Sequence, residues 1–234
     1  MGNQLNFMDF DVLVIGSKPD SKLPNFQISK IYTANGAAER ANRYQKIFPK
    51  TNLTCLVGDL EFEKNINVKD RIINALPNRM IVRGTKIHLP EKLKQNCELK
   101  YLSFTHQLNF QSKFFRGGIF SVIYSEFLRE IKVNDRIKYF LKKLKNFEFQ
   151  GVSTGFFSIL KAIEENPNSN ILITGIGMSG GKQFYPNERN KSYDYTARSR
   201  VDRFLVKKLK KKYKKNIYTT DEDLLENGNI KLWK

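Results

Sequence analysis

Short apolar runs recur along the chain, and most of them stop at a glycine or another small polar residue. Asp11-Val-Leu-Val-Ile15 runs into Gly16-Ser17-Lys18-Pro19, and Ile28 to Thr33 runs into Ala34-Asn35-Gly36. Thr54 to Val57 stops at Gly58-Asp59, Met80-Ile-Val82 at Arg83-Gly84, and Ile171 to Thr174 at Gly175-Ile176. Such runs, bounded by turn residues, are the pattern of strands covered on both faces. Between them the apolar spacing lengthens to that of helices. One helix starts at Ala37 and passes through Ala38, Ala41, Tyr44 and Ile47 to Phe48, and a shorter one covers Asp70 to Leu76. Ser121 to Leu128, Arg136 to Leu144, and Phe156 through Ile163 read as further helices, and Asn216 to Thr219 as a last short strand. Residues 1–10 read as a frayed start. Residues 85–135 are less regular and suggest a lid or insertion, with Lys113-Phe-Phe-Arg-Gly-Gly118 as a mobile loop over a site. Strands alternating with helices predict an α/β fold, a mostly parallel sheet flanked by helices, with residues 1–234 as one domain. In such a sheet the strand ends lie side by side on one edge, where open α/β sheets bind ligands.

The stretch from Gln150 to Met178 organises the rest. Gly151-Val152-Ser153-Thr154-Gly155 is dense in small residues and hydroxyls just before a helix begins. A helix amino terminus leaves about four N–H groups without internal partners and carries partial positive charge, so it suits a phosphate or carboxylate. A plain Ser-Thr cap explains the same residues equally well at this point. The glycine turn after the first strand is the second pointer, because glycine lets a backbone approach a ligand closely. Neither G-x-G-x-x-G nor G-x-x-x-x-G-K-S/T is present, so dinucleotide and P-loop readings lack their fingerprints.

Composition narrows the class. A 40% hydrophobic content supports a core, and the net charge of +18 is concentrated in lysine clusters. Eight basic residues and no acid lie between Arg203 and Lys215. Val206, Leu209 and Tyr213 share one face there, so the stretch reads as one basic amphipathic helix. Anionic lipid is the partner this favours; a solvated surface helix is the plainer alternative. Nucleic acid is not expected as a partner, since helix-turn-helix, zinc-finger and base-stacking patterns are all missing. Cys55 and Cys97 have no metal spacing and no secretory leader around them, which predicts reduced, buried thiols in a cytoplasmic protein. No apolar run approaches the roughly 20 residues that span a bilayer. A peripheral position on the inner membrane face is therefore the expected form of any membrane contact.

The ordered series I-x-G-S-x-P, strand-A-N-G, S-T-G before a helix, and strand-G-I-G resembles the bacterial sialyltransferases and the related Kdo transferases that build lipopolysaccharide and capsule. The resemblance runs through most of the chain in short motifs. It implies a Rossmann-like domain that takes a sialic acid or Kdo from a CMP-linked donor, without cofactor or metal, and passes it to a glycan or glycolipid acceptor. It assigns Gly16, Ser17, Lys18 and Pro19 to the nucleotide, Asn35 with Gly36 to the donor, and Ser153, Thr154 and Gly155 to the phosphate and cytidine region. Gly175 and Ile176 match the strand-G-I segment, and Tyr185 takes the place of a tyrosine facing the leaving phosphate. The chain departs from the family in two respects: Thr196 to Asp202 keeps the aspartate of the basic helix but lacks the histidine base before it, and the Ser179 region stands where a tyrosine is expected just after the G-I segment. Inverting transfer needs a base at the acceptor hydroxyl and neutralisation of the leaving phosphate. His106, Asp59 and Asp202 are the candidates for the base, and Arg198 or Arg200 for the phosphate. A non-catalytic nucleotide- or glycan-binding protein of polysaccharide assembly is the alternative.

Overall fold

The computed structural model describes residues 9–19, 21–130, 132–146, 148–178, 183–184 and 195–233. The first half alternates strand and helix: β1 (Val12–Ile15), β2 (Lys30–Ala34), α1 (Ala38–Ile47), β3 (Asn52–Gly58), α2 (Asp59–Lys64), α3 (Ile66–Ala75) and β4 (Arg79–Arg83). Then come α4 (Glu91–Asn96), β5 (Glu98–Leu102), α5 (Phe104–Ser112), α6 (Gly118–Phe127) and α7 (Val133–Asn146). The last part is α8 (Thr154–Glu165), β6 (Ile171–Thr174), α9 (Tyr195–Lys208), α10 (Lys211–Lys214), β7 (Ile217–Thr219), α11 (Glu222–Gly228) and β8 (Lys231–Leu232).

The eight strands among the described residues form one sheet in the order β5-β4-β3-β2-β1-β6-β7-β8, and every neighbouring pair is parallel. Parallel strands are covered on both faces, which is why Val12–Ile15 and Ile171–Thr174 are apolar or β-branched throughout and entirely buried. Alternate residues feed two cores. Val12, Val14, Leu56 and Ile81 point to the side of α8, while Leu13, Ile15, Cys55 and Val82 point to the side of α1 and α3. The chain steps outward from β1 to β5, then returns to place β6 on the other flank of β1. That reversal is the switch point at which open α/β sheets carry their ligand crevice.

The carboxyl end of α8 is tied to the sheet through Glu165. It accepts from Tyr32 Oη at 2.6 Å and pairs with Arg79 and with Lys161 at 3.1 Å. Burial alone pushes its carboxyl up, but the bonds from Arg79, Tyr32 and Lys161 outweigh that and hold it below the ordinary glutamate range. A depressed folded value stabilises the fold fully above the unfolded value, about 4.3, and the gain is lost as pH falls through the lower folded value. Glu165→Gln should therefore lower the urea midpoint at pH 6, and the gap from the parent should shrink as the pH falls through the lowered folded value. Curves that stay equally far apart at both pH values would rule this linkage out.

Several expectations change. Residues 85–135 are no separate lid: they supply β5 to the same sheet and pack α5 and α6 on the α8 side. Phe114 and Phe115 of the expected mobile loop are 2% and 0% exposed, and Phe115 bridges to Leu209. Two adjacent phenylalanines there have more to gain from the core than from solvent. The basic stretch 203–215 is not one helix. It breaks at Leu209 and Lys210, where Leu209 meets Phe115 and Lys210 N–H donates to Phe114 O at 3.0 Å. Val206 and Leu209 face the core, as their spacing predicts. Two lysines of the stretch are used inside the protein: Lys210 Nζ donates to Lys113 O at 2.6 Å and Lys214 Nζ to Gly228 O at 2.5 Å. The start is not frayed at its described end, since Phe10 is buried between Phe26, Tyr218 and Trp233. Cys55 is buried as expected, and Cys97 only partly.

Candidate functional site

The strand registers place the small polar ends in a row. Ile15 pairs with Thr33 and with Thr174, Ala34 with Leu56, and Gly58 with Arg83. Gly16 lies directly on Gly175: a Cβ at Gly16 would fall 2.1 Å from Gly175 O and 2.5 Å from Ile176 Cγ1. Lys18 N–H then donates to Gly175 O at 3.0 Å, so the turn after β1 folds over the end of β6. Ser17 O accepts from Phe184 N–H at 3.0 Å, and Pro19 O accepts from Arg40, whose guanidinium also covers the Phe184 ring.

The amino end of α8 meets this turn from the opposite face. A Cβ at Gly155 would stand 3.7 Å from Ile176 Cγ2. Ser153 caps the helix, its Oγ accepting from Phe156 N–H at 3.2 Å, and its own N–H donates to Asp202 Oδ1 at 2.8 Å. The first-turn amides of Thr154 and Gly155 find no partner among the described residues. Asn35, in left-handed conformation at φ 53° at the end of β2, adds a side-chain Oδ1 that is enclosed and accepts no hydrogen bond there. An enclosed carbonyl without a donor costs about 1–3 kcal/mol, a cost a ligand N–H or O–H would remove.

Below the helix end lies a polar network that the sequence did not announce. Arg83, at the end of β4, is 6% exposed. Its Nε donates to Gln107 Oε1 at 2.9 Å, one terminal nitrogen to Thr154 Oγ1 at 3.4 Å, and the other to Gln150 O at 2.8 Å and Val152 O at 3.0 Å. Its plane stacks 4.3 Å from the centre of Phe157. Burial, helped by the nearby Arg198 charge, pulls its guanidinium down to about 9, which still leaves it charged at neutral pH. Glu126, fully buried on α6, pairs with Arg129 and accepts from the N–H groups of Gln150, at 2.9 Å, and Gly151. Gln111 Oε1 accepts from Val152 N–H at 2.9 Å, and Arg198 donates to Gln150 Oε1 at 2.7 Å. Residues 150–153 are thus held by side chains from β4, α5, α6 and α9. Glu126, in the last turn of α6, and Arg129, just past its end, form the buried ion pair at the centre of this network.

Lys18 reaches the other side of the turn. Its Nζ lies 3.6 Å from Asp221 and 3.5 Å from Asp223, and Asp221 Oδ2 accepts from Ile176 N–H at 3.3 Å. Burial lifts the carboxyls of both Asp202 and Asp221 above the ordinary aspartate range, against the hydrogen bonds from Ser153 on the first and the Lys18 charge on the second.

The residues singled out in the sequence therefore divide. Gly16, Ser17, Lys18, Pro19, Gly175, Ile176, Ser153, Thr154 and Gly155 come together, with Asp202 beneath Ser153 and with Asn35 and Gly36 on the next strand end. Asp59 does not join them as a free carboxylate: Oδ2 accepts from Thr85 N–H and Oγ1, both at 2.8 Å, and Oδ1 from Leu60 N–H at 2.6 Å, which fixes the β3 and β4 ends to each other. His106 sits exposed in the first turn of α5, beyond the edge strand β5, with Nδ1 at 2.8 Å from Ser103 Oγ. Tyr185 lies outside the described residues. Among the described residues, no group of three histidine, cysteine or acidic side chains is arranged to hold a metal ion, and no helix is long and apolar enough to cross a membrane. In comparisons with protein families, with curated proteins and with solved structures, the chain matches none.

Proposed function

We propose that this chain is a glycosyltransferase that moves a sialic acid or Kdo type sugar from a CMP-linked donor to a surface-glycan acceptor. The observation that carries the reading is the meeting of the α8 amino end with the β1 turn and Ile176 at the switch point of the sheet. Two uncommitted first-turn amides at a positive helix end suit a phosphate, and the motif series at these same residues supplies the cytidine preference. Arg198, already at Gln150, and Lys18 add cationic charge on either side, so the leaving phosphate can be neutralised by the chain's own groups. Asp202 and Asp221, both lifted above the ordinary aspartate range, are the carboxylates beside the crevice suited to take the acceptor's proton.

Calorimetry with CMP and CDP against UDP and GDP tests the reading. The cytidine nucleotides should bind at least about tenfold more tightly, a difference of about 1.4 kcal/mol; equal affinities would remove the family assignment. Asn35→Gly keeps the left-handed backbone at no steric cost while deleting the side chain. It should weaken CMP binding by about tenfold with little change in melting temperature. An unchanged affinity would take Asn35 out of the site.

One observation favours the alternative of a non-catalytic nucleotide- or glycan-binding protein. Asp202 Oδ1 is spent on the Ser153 amide, and His106 stands at the edge of the sheet. CMP binding without hydrolysis of a CMP-linked sugar or transfer to a broad acceptor panel would decide for it.

A further inference from the structure

Helix α7 turns an apolar row away from the protein. Its sheltered side is Arg136, Tyr139, Phe140 and Lys143, with Phe140 packed against Phe127 and Phe149. At about 3.6 residues per turn, Ile137, Leu141 and Leu144 fall on a different face, and they are 48%, 57% and 44% exposed. Each is followed in sequence by a lysine, Lys138, Lys142 and Lys145, so a row of ammonium groups runs beside the apolar row. The neighbouring α6, packed against α7, adds exposed side chains of its own. Phe120 is 79% exposed and Tyr124 53%, and Tyr124 joins the aromatic series through Phe127 to Phe140. Single exposed apolar side chains need no explanation, whereas a row of three on one helix with two more on the helix packed beside it does.

We propose that the α6–α7 face docks on an anionic lipid bilayer, with its apolar row in the headgroup–acyl boundary and its lysines at the phosphates. An apolar stripe flanked by lysines is the pattern of a helix lying in the membrane plane, and long lysine stems keep the charge at headgroup level while the stem is buried. Charge selects this occupant over a second copy of the chain. The net charge is +18, and α7 carries five basic residues against one acid, Asp135. Two such faces brought together would set like charges against each other, while a negatively charged surface attracts each lysine. The docking face is independent of the proposed reaction. It also moves the membrane contact away from residues 203–215, two of whose lysines bond the protein's own carbonyls.

The test is flotation with vesicles of phosphatidylglycerol and phosphatidylcholine, and with pure phosphatidylcholine, at low and high salt. Phe120→Ser/Leu141→Ser should cut partition onto the anionic vesicles about tenfold or more at both salt levels. Lys138→Gln/Lys142→Gln/Lys145→Gln should cut it mainly at low salt. Lys207→Gln/Lys211→Gln/Lys212→Gln should retain most of it. All these side chains are exposed, so melting temperatures should stay near the parent's. Should a variant fold poorly, Phe120→Trp in the full chain gives a second readout: brominated lipids should quench its fluorescence beyond that of Trp233. A parent that ignores anionic vesicles, a Phe120→Ser/Leu141→Ser protein that floats like the parent, or loss confined to the 207–212 variant would each overturn the proposal. So would a parent dimer dispersed by the serine changes without any vesicle binding.

Discussion

Glu126→Leu should destabilise the fold by about 3–5 kcal/mol, the cost of breaking a buried ion pair from one side. The substituted side chain is of similar size, so the loss is electrostatic. Arg129, itself 6% exposed, would keep its bond to Gly151 O at 3.0 Å but lose the buried carboxylate that faces its charge. The N–H groups of Gln150 and Gly151 would lose their acceptor as well. Glu126→Gln preserves an acceptor for those amides while removing the charge, so it should cost less. Adding Arg129→Met to Glu126→Leu should recover part of the loss, because an apolar pair leaves no charge behind. Urea denaturation reads all four proteins, provided the slopes agree. A Glu126→Leu midpoint within about 1 kcal/mol of the parent would mean that the 150–153 loop is held by other groups. Because that loop leads directly into Ser153–Gly155, the same variant should also bind CMP more weakly than its stability loss alone explains.

The strand part of this site is legible in the sequence and the network under it is not, for a physical reason. A strand covered on both faces must be apolar along its length, and its end must turn, so Val12–Ile15 with Gly16 or Ile171–Thr174 with Gly175 can be read locally. Arg83, Gln107 with Gln111, and Glu126 belong to three separate elements, and each looks like a surface residue until the fold brings them onto one loop. Nothing local distinguishes a buried arginine with its donors occupied from a solvated one. The same limit explains Asp59. Its place after a strand suggested ligand contact, yet Thr85, from the next strand's loop, takes up its carboxylate. The region 85–135 misled through composition: the polar faces of α5 and of β5 obscured elements that are amphipathic at the edge of the sheet rather than buried in its middle. The lysines of 203–215 misled by count, since Leu209 is needed at Phe115 and the helix breaks to deliver it.

Gly16→Ala should be the most damaging single methyl addition in the site, at about 3 kcal/mol, the upper end of what overpacking costs. The added Cβ would lie 2.1 Å from Gly175 O and 2.5 Å from Gly175 C, both backbone atoms, so no rotamer change can relieve it. The two strand ends would have to separate. Gly175 cannot yield easily, because it sits at φ 73° with Ser21 Oγ and Gly16 O already within 2.9 Å of where its own Cβ would be. Separation would break the Lys18 N–H bond to Gly175 O and move Ile176 away from Gly155, opening the contact between the β1 turn and the α8 amino end. Urea denaturation with calorimetric titration of CMP separates the two effects. The expected result is a lowered midpoint together with at least a tenfold loss of CMP affinity at temperatures where the variant remains folded. Gly58→Ala provides the control: a Cβ there meets nothing nearer than Glu61 Cβ at 3.8 Å, so both quantities should stay near the parent's. If Gly16→Ala were to match Gly58→Ala in both measurements, the close contact of the β1 and β6 ends would not be what shapes the site.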